Sequence, residues 1–168
     1  VVRLAFRLFC GQENIADKTA ADFTILEDGD RVSAFESELT MVPITASFQL
    51  STALVLDMSD SIVDSGKLPD LQAAVRTFIN TTQSDQEIGI YLFDGREDVQ
   101  TLHSFSADKD SLLSAVDELS DYEPVDPSTN LNGAVVSGLD LLDSRASNYA
   151  DSIFAGSLVV FTDGTDQA

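Results

Sequence analysis

The chain has 168 residues, 43% of them hydrophobic, and its nine basic residues face 29 acidic ones for a formal net charge of -20. This length predicts one ordinary domain, or one domain with a small appendage, and the hydrophobic fraction is enough for a real core. The acidic balance argues against nucleic acid and anionic membrane surfaces as partners, because both need a basic protein surface. No stretch approaches the roughly 18 apolar residues of a membrane span, so we expect no membrane insertion in this segment.

Residues 1–45 carry β patterns. Apolar and polar residues alternate at the start of the chain, and Asp28-Gly29 is a strong hairpin signal farther on. The predicted strands cover 2–9, 23–27 and 32–39. We therefore predict a small β segment over residues 1–45, followed by a separate domain over residues 46–168.

From Phe48 onward, apolar runs of strand length alternate with apolar residues at helical spacing. The predicted buried strands are 50–56, 88–93, 99–105 and 158–161. The predicted helices are marked by Leu71, Val75, Phe78 and Ile79, by Leu112, Leu113, Val116 and Leu119, and by Leu131, Val135, Leu139 and Leu142. This alternation predicts a Rossmann-like α/β fold, with a mainly parallel sheet flanked by helices. Ligands of such sheets bind at the carboxyl ends of the strands, so polar residues at those ends are the candidate site.

The first polar motif, Asp57-Met58-Ser59-Asp60-Ser61, directly follows the first buried strand. Asp57, Ser59 and Ser61 stand at alternate positions, so in an extended turn their side chains can point toward one site. Carboxylate and hydroxyl oxygens suit hard cations such as Mg²⁺, Mn²⁺ or Ca²⁺. Taken alone, the motif is equally well explained as a serine-rich helix cap.

Two further motifs lie at corresponding places in the predicted layout. Thr129 lies in the loop before the third helix, and Asp163 lies in Thr162-Asp163-Gly164 at the end of the last strand. Each has a simple alternative interpretation, Thr129 as a helix N-cap and Asp163 as a turn residue. The occurrence of all three motifs in this order favours a shared site over three separate explanations.

Together these motifs resemble those of the von Willebrand factor type A domain family, from about Phe48 to the end of the chain. The resemblance implies a metal-ion-dependent adhesion site, in which a divalent cation is surrounded by Asp57, Ser59, Ser61, Thr129 and Asp163. The cation is expected to be Mg²⁺, with Ca²⁺ or Mn²⁺ as alternatives. The resemblance implies that the three hydroxyls ligate directly and that the two aspartates act directly or through water. It also implies an open coordination position, which an Asp or Glu carboxylate of a protein partner fills.

Residues 21–29, with the sequence ADFTILEDG, extend the resemblance. They are similar to a DFT-x-x-EDG hairpin that precedes such domains in bacterial secreted or surface proteins. The similarity implies an extracytoplasmic protein, secreted, periplasmic or at the cell surface, of bacterial origin. The family fold continues with two more strands and their helices after the last motif, whereas this chain stops at Ala168. We therefore expect a domain that looks C-terminally truncated: a fragment, or a domain whose remaining strands are supplied by a partner or disordered.

Two acidic residues beside the first motif depart from or extend the family pattern. Asp60 stands where many family members have glycine, and Asp64 matches a position that supplies a second, adjacent cation site in integrin β subunits. A solvated aspartate explains Asp64 equally well. A second metal site therefore stays open at the level of the sequence.

An enzyme and a purely structural module are the alternatives to a binding domain. A phosphatase of the haloacid dehalogenase type needs a second aspartate two residues after Asp57, where this chain has Ser59. A serine hydrolase would need His103, the only histidine, which lies in a predicted strand with no nucleophile-elbow glycine motif nearby. We therefore expect no enzyme and no catalytic residue. The other alternative, a structural module of a larger surface protein whose cation only stabilises the fold, stays open.

Overall fold

The computed structural model describes residues 6, 8–11, 13–15, 17–33, 48–150 and 152–164. The chain divides into two compact units, Val1–Ala46 and Ser47–Ala168. In the described part of the smaller unit, four short strands form two antiparallel pairs, β1 with β2 and β3 with β4. These strands are β1 (Phe9–Cys10), β2 (Glu13–Asn14), β3 (Leu26–Glu27) and β4 (Asp30–Arg31).

The hairpin of β3 and β4 turns at Asp28-Gly29, as the sequence predicts. Both residues have positive φ angles, 52° and 93°, which a two-residue type I′ turn requires. The partner strand begins earlier than the predicted 32–39, because so short a turn pairs Asp30 directly with Glu27. Positions 34–39 of that predicted strand lie outside the described residues, as does most of the predicted strand 2–9.

The larger unit is built on a four-stranded sheet in its described part. Its strands are β5 (Phe48–Asp57), β6 (Glu87–Phe93), β7 (Gln100–Ser106) and β8 (Ile153–Phe161), in the spatial order β7-β6-β5-β8. Strand β5 lies between β6 and β8 and runs parallel to both, whereas β7 runs antiparallel to β6. This mixed, mainly parallel sheet confirms the predicted α/β fold class.

Helices cover both faces of the sheet. They are α1 (Asp60–Val63), α2 (Leu68–Thr81), α3 (Lys109–Asp117) and α4 (Leu131–Ala146). Side chains on β5 alternate between the two faces: Leu54 and Leu56 pack with residues of α2 and α3, while Ala53 and Val55 pack with residues of α4. Within the described residues, no helix is long and apolar enough to span a membrane.

Two sequence predictions about burial are wrong in detail. Strand β7, predicted to be buried, is half-buried to exposed along its length, because among the described residues it is an edge strand that pairs only with β6. Leu142 of α4 is buried as expected, but Leu139 is 53% exposed, and the small residues Ala134 and Gly138 share the core face of that helix with Leu142. A Cβ at Gly138 would lie 2.5 Å from Cδ1 of Leu158. The small residue therefore lets α4 lie close to the sheet.

Candidate metal centre

The pairing of β5 and β8 positions the first and last polar motifs. Leu56 pairs with Phe161 across the two parallel strands, so the residues that follow each strand emerge at the same edge of the sheet. Asp57 is the last residue of β5, and Asp163 lies two residues beyond the end of β8. The sheet topology therefore places two carboxylates that are distant in sequence at one edge.

Hydrogen bonds join four of the five candidate residues into one oxygen-rich cluster. One carboxylate oxygen of Asp57 accepts from the Ser59 amide at 3.0 Å. The hydroxyls of Ser59 and Ser61 lie 3.0 Å apart, and the Ser61 hydroxyl donates to Oδ1 of Asp163 at 2.9 Å. The alternating spacing of the first motif thus does bring its side chains toward the last motif.

The serine-rich motif opens the one-turn helix α1, but its hydroxyls do not cap that helix. Ser59 occupies the N-cap position without a side-chain capping bond. Its carbonyl accepts from the amides of Ile62 and Val63 at 2.9 and 3.1 Å. The backbone of Ser59 therefore starts the helix while its hydroxyl stays directed at Ser61.

Asp57 is fully buried, and a threonine that the sequence analysis did not single out completes its environment. The Thr162 hydroxyl donates to Oδ2 of Asp57 at 2.7 Å and accepts from the Gly164 amide at 3.1 Å. A buried carboxylate is costly unless hydrogen-bonded, so Thr162 and the Ser59 amide are what make the buried position of Asp57 tolerable. The sequence signal that could have identified Thr162 is its position directly before Asp163.

Thr129 lies in a loop that contacts the first motif. It is 3% exposed, and the Pro127 carbonyl in the same loop accepts from the Asp60 amide at 3.3 Å. The N-cap of α4 is Asn130, whose side chain accepts from the Gly133 amide at 2.9 Å. The alternative interpretation of Thr129 as the helix N-cap is therefore wrong.

Asp94, at the end of β6, anchors the loop that carries Thr129. Its side chain is fully buried and accepts from the amides of Val125 and Asp126 at 3.3 and 3.4 Å. Its carbonyl accepts from the Asn130 amide at 3.0 Å. Asp94 is therefore the link between β6 and residues 125–130.

The charge of Asp94 is balanced by its neighbour Arg96, whose Nε lies 2.8 Å from Oδ1. Burial alone would raise the pKa of Asp94, but the hydrogen bonds from Arg96 and from the loop amides outweigh it and hold the pKa below its ordinary value. The carboxylate is therefore ionised at neutral pH and clamps the loop. Gly95 is needed here as well, since a Cβ at that position would lie 1.9 Å from Oγ of Ser128.

A lysine also belongs to the site. The ammonium group of Lys67 contacts Oδ2 of Asp163, while Ser61 occupies Oδ1. Lys67 is the main cause that lowers the pKa of Asp163; burial opposes the shift, and the Ser61 hydroxyl adds to it. Lys67 is the only basic residue between Arg31 and Arg76, which is the sequence signal that could have drawn attention to it.

The donor set fits a hard divalent cation better than a soft one. It comprises the carboxylates of two aspartates and three hydroxyls, all of them oxygen ligands of the kind that Mg²⁺ and Ca²⁺ take. In the described part of the chain, no group of three or more His, Cys, Asp or Glu side chains could hold a metal ion. Asp60 and Asp64 thus belong to no such acidic cluster there, and a cation at the first site would depend on hydroxyl ligands.

Comparison with known proteins gives one family and several structures of similar fold. The family model described as von Willebrand factor type A domain matches residues 52–165. No curated protein matches the chain. Among solved structures, a serine-substituted variant of an aerotolerance-related membrane protein from Bacteroides fragilis is 16% identical with a TM-score of 0.55, over 71% of this chain and 56% of that one.

Two further structures are similar at the same level. PilB minor pilin from Streptococcus sanguinis is 15% identical with a TM-score of 0.53, over 74% of this chain and 32% of that one. Proximal thread matrix protein 1 of the mussel byssus is 16% identical with a TM-score of 0.52, over 73% of this chain and 33% of that one. At these identities the likeness shows the fold alone. The chain spans between a third and little more than half of these three structures.

Proposed function

Since the chain belongs to the von Willebrand factor type A domain family, we propose that it binds a protein partner through a divalent cation. The cation would be held by Asp57, Ser59, Ser61, Thr129 and Asp163. The observation that carries the proposal is the hydrogen-bonded cluster in which Ser61 links Ser59 to Asp163. This cluster brings oxygen ligands from the first and the last of the three motifs together at one edge of the sheet.

The residues of the cluster would divide the work of holding the cation. The three hydroxyls would ligate it directly, and the two carboxylates would balance its charge, directly or through water. When bound, the cation supplies a local positive charge in a protein whose net charge is -20. Without it, the domain repels an acidic partner; with it, capture of a partner carboxylate becomes favourable.

The exposure of the five residues favours ligand binding over a purely structural role. Asp57, Ser59 and Thr129 are buried, whereas Ser61 is exposed and the side chain of Asp163 is 21% exposed. The cluster therefore has a buried floor and a side that faces solvent. A partner carboxylate could approach from that side, which a cation sealed within the fold would not permit.

We extend the proposal to location and to the kind of protein. The hairpin motif at residues 22–29 resembles segments that precede such domains in secreted and surface proteins, which supports an extracytoplasmic site of action. One structure of similar fold is a minor pilin and another a membrane protein. Adhesion or complex assembly outside the cytoplasm is the role that accords with these similarities, and no catalytic step is part of it.

The test is titration of Mn²⁺ into the wild-type chain, followed by water-proton relaxation of the complex. We expect one bound Mn²⁺ that retains exchangeable water, and a fall in relaxation enhancement when acetate, the simplest carboxylate probe, is added. Bound Mn²⁺ without exchangeable water would instead indicate a structural cation. Absence of Mn²⁺, Mg²⁺ and Ca²⁺ binding by calorimetry would overturn the proposal altogether.

A further inference from the structure

Lys67 gives the candidate site a positive charge of its own. Its ammonium group contacts Oδ2 of Asp163, the carboxylate that the proposed function assigns to the cation. The other oxygen of Asp163 accepts from Ser61. In this arrangement both oxygens of Asp163 are engaged by groups of the protein itself.

The backbone around Lys67 holds it in place at the start of α2. Gly66, with a φ of +78°, turns the chain into the left-handed region that favours glycine. The Lys67 amide donates to the Ile62 carbonyl at 3.2 Å, and its carbonyl accepts from the amides of Asp70 and Leu71 at 3.0 Å each. These bonds fix the main chain on both sides of the lysine, so its reach to Asp163 is set by the fold.

The side chain of Lys67, unlike its backbone, lies largely in solvent. It is 51% exposed, compared with 21% for the side chain of Asp163. A lysine has a flexible four-carbon stem and a compact, strongly hydrated charge. It can therefore leave Asp163 for solvent at low cost, without any change in the helix that begins beside it.

We propose that the Lys67 ammonium is a built-in competitor of the divalent cation, neutralising Asp163 when no cation is bound and leaving it when one binds. This inference rests on the proposed function. It gives the site two states with the same fold: a cation-free state closed by Lys67 and a cation-loaded state in which Asp163 is released. The lysine thus sets how much divalent cation is needed before a partner can bind.

The size of the effect follows from the charges. In water, a dication and a monovalent cation about 6 Å apart repel each other with a free energy that corresponds to roughly a tenfold change in affinity. Because Lys67 is half-exposed and can swing into solvent, the effect is reduced by screening. We therefore expect removal of its charge to strengthen cation binding between about threefold and tenfold.

The experiment compares three variants with the wild type by calorimetric titration of Mn²⁺ at low ionic strength. Lys67→Gln removes the charge, Lys67→Arg retains it, and Arg76→Gln makes the same change in net charge elsewhere. Arg76 is the matched control because it pairs with Asp117 of α3 rather than with the site. The supporting result is tighter Mn²⁺ binding by Lys67→Gln alone. A second readout is thermal unfolding, in which Lys67→Gln should lose stability in EDTA and recover it at saturating Mn²⁺.

Three results would overturn the inference. If the wild type binds Mn²⁺ and Lys67→Gln binds it equally or more weakly, the lysine does not compete, and the proposed function stands without it. If Arg76→Gln tightens binding as much as Lys67→Gln, only the overall charge matters. If neither the wild type nor Lys67→Gln binds Mn²⁺, the inference and the proposed function both fall.

Discussion

Ser61 and Asp163, 102 positions apart in the sequence, are joined by a 2.9 Å hydrogen bond from the serine hydroxyl to Oδ1 of the aspartate. The contact exists because β5 and β8 are parallel neighbours whose carboxyl ends meet at one edge. It links the first and last motifs of the candidate metal centre. Substitutions of the residues around this contact should change stability and cation affinity in ways that can be measured.

Thr162→Val removes the hydroxyl that donates to the buried carboxylate of Asp57 while keeping the side-chain volume. We expect the free energy of unfolding in EDTA to fall by about 1–3 kcal/mol, because a buried acceptor is left unsatisfied. Urea denaturation measures it. The control is Thr101→Val on the exposed side of β7, which should change stability by less than about 0.5 kcal/mol. Equal effects at the two threonines would contradict the role given to Thr162.

Asp94→Ala removes the anchor of the loop that carries Thr129, without touching any of the five candidate ligands. Since the fully buried side chain of Asp94 accepts from the amides of Val125 and Asp126, we expect the free energy of unfolding to fall by about 1.5–3 kcal/mol, because these amides lose a charged acceptor. Cation affinity should fall as well, because Thr129 is no longer held in place.

The matched control for this prediction is Asp98→Ala, an exposed aspartate in the same connection between β6 and β7. It should leave both stability and Mn²⁺ affinity near wild-type values. Where Asp94→Ala proves too unstable, Gly95→Ala offers a second test, since its Cβ would collide with Ser128. Unchanged Mn²⁺ affinity in folded Gly95→Ala would show that the loop geometry does not matter to the site.

A separate ion pair makes stability depend on pH. Arg145 donates to Glu87 at 2.6 Å, and the Tyr149 hydroxyl lies 3.2 Å from both carboxylate oxygens. Burial alone would raise the pKa of Glu87, but the hydrogen bond and charge of Arg145 outweigh it, so the net shift is downward. A lowered pKa stabilises the fold above the unfolded value of about 4.3. That contribution is lost as pH falls through the lower folded value.

Glu87→Gln tests this pair. At pH 7 we expect the variant to be about 1–3 kcal/mol less stable than the wild type, since a charge-assisted hydrogen bond is lost. The difference should shrink as the pH is lowered from the unfolded value of about 4.3 through the lower folded value, because the wild-type carboxylate then becomes protonated too. Urea denaturation at pH 7 and pH 3 measures it, and a difference that is constant with pH would contradict the assignment.

The sequence predicts the parts of the fold that follow from local pattern. The continuous apolar run of β5 reflects burial on both faces, and the helical spacing of Leu71 and Val75 places α2 correctly. In α4, Leu142 is buried but Leu139 is exposed, because Ala134 and Gly138, which carry little hydrophobic signal, occupy the rest of the buried face. Close helix packing selects small residues, and a search for large apolar ones overlooks them.

The candidate site, too, can be predicted from the sequence only in part. Asp57 ends β5, and Ser59 and Ser61 follow it at alternate positions, so the convergence of these side chains can be predicted from their spacing. The sequence does not predict the roles of Thr162, Lys67 and Asp94, because their partners depend on which strands and loops are neighbours in space. Thr162 contacts Asp57 only because β8 lies beside β5. Lys67 contacts Asp163, which is 96 positions away in the sequence.

The central claim is that a divalent cation binds among Asp57, Ser59, Ser61, Thr129 and Asp163. Its most direct test is a crystal structure of the wild-type chain grown with Mn²⁺, with the anomalous signal of the metal measured. We expect one strong anomalous peak within about 2.6 Å, the upper end of cation–oxygen distances, of the hydroxyl oxygens of Ser59 and Ser61. Absence of a peak there at saturating Mn²⁺, or a peak only at Asp60 and Asp64, would contradict it.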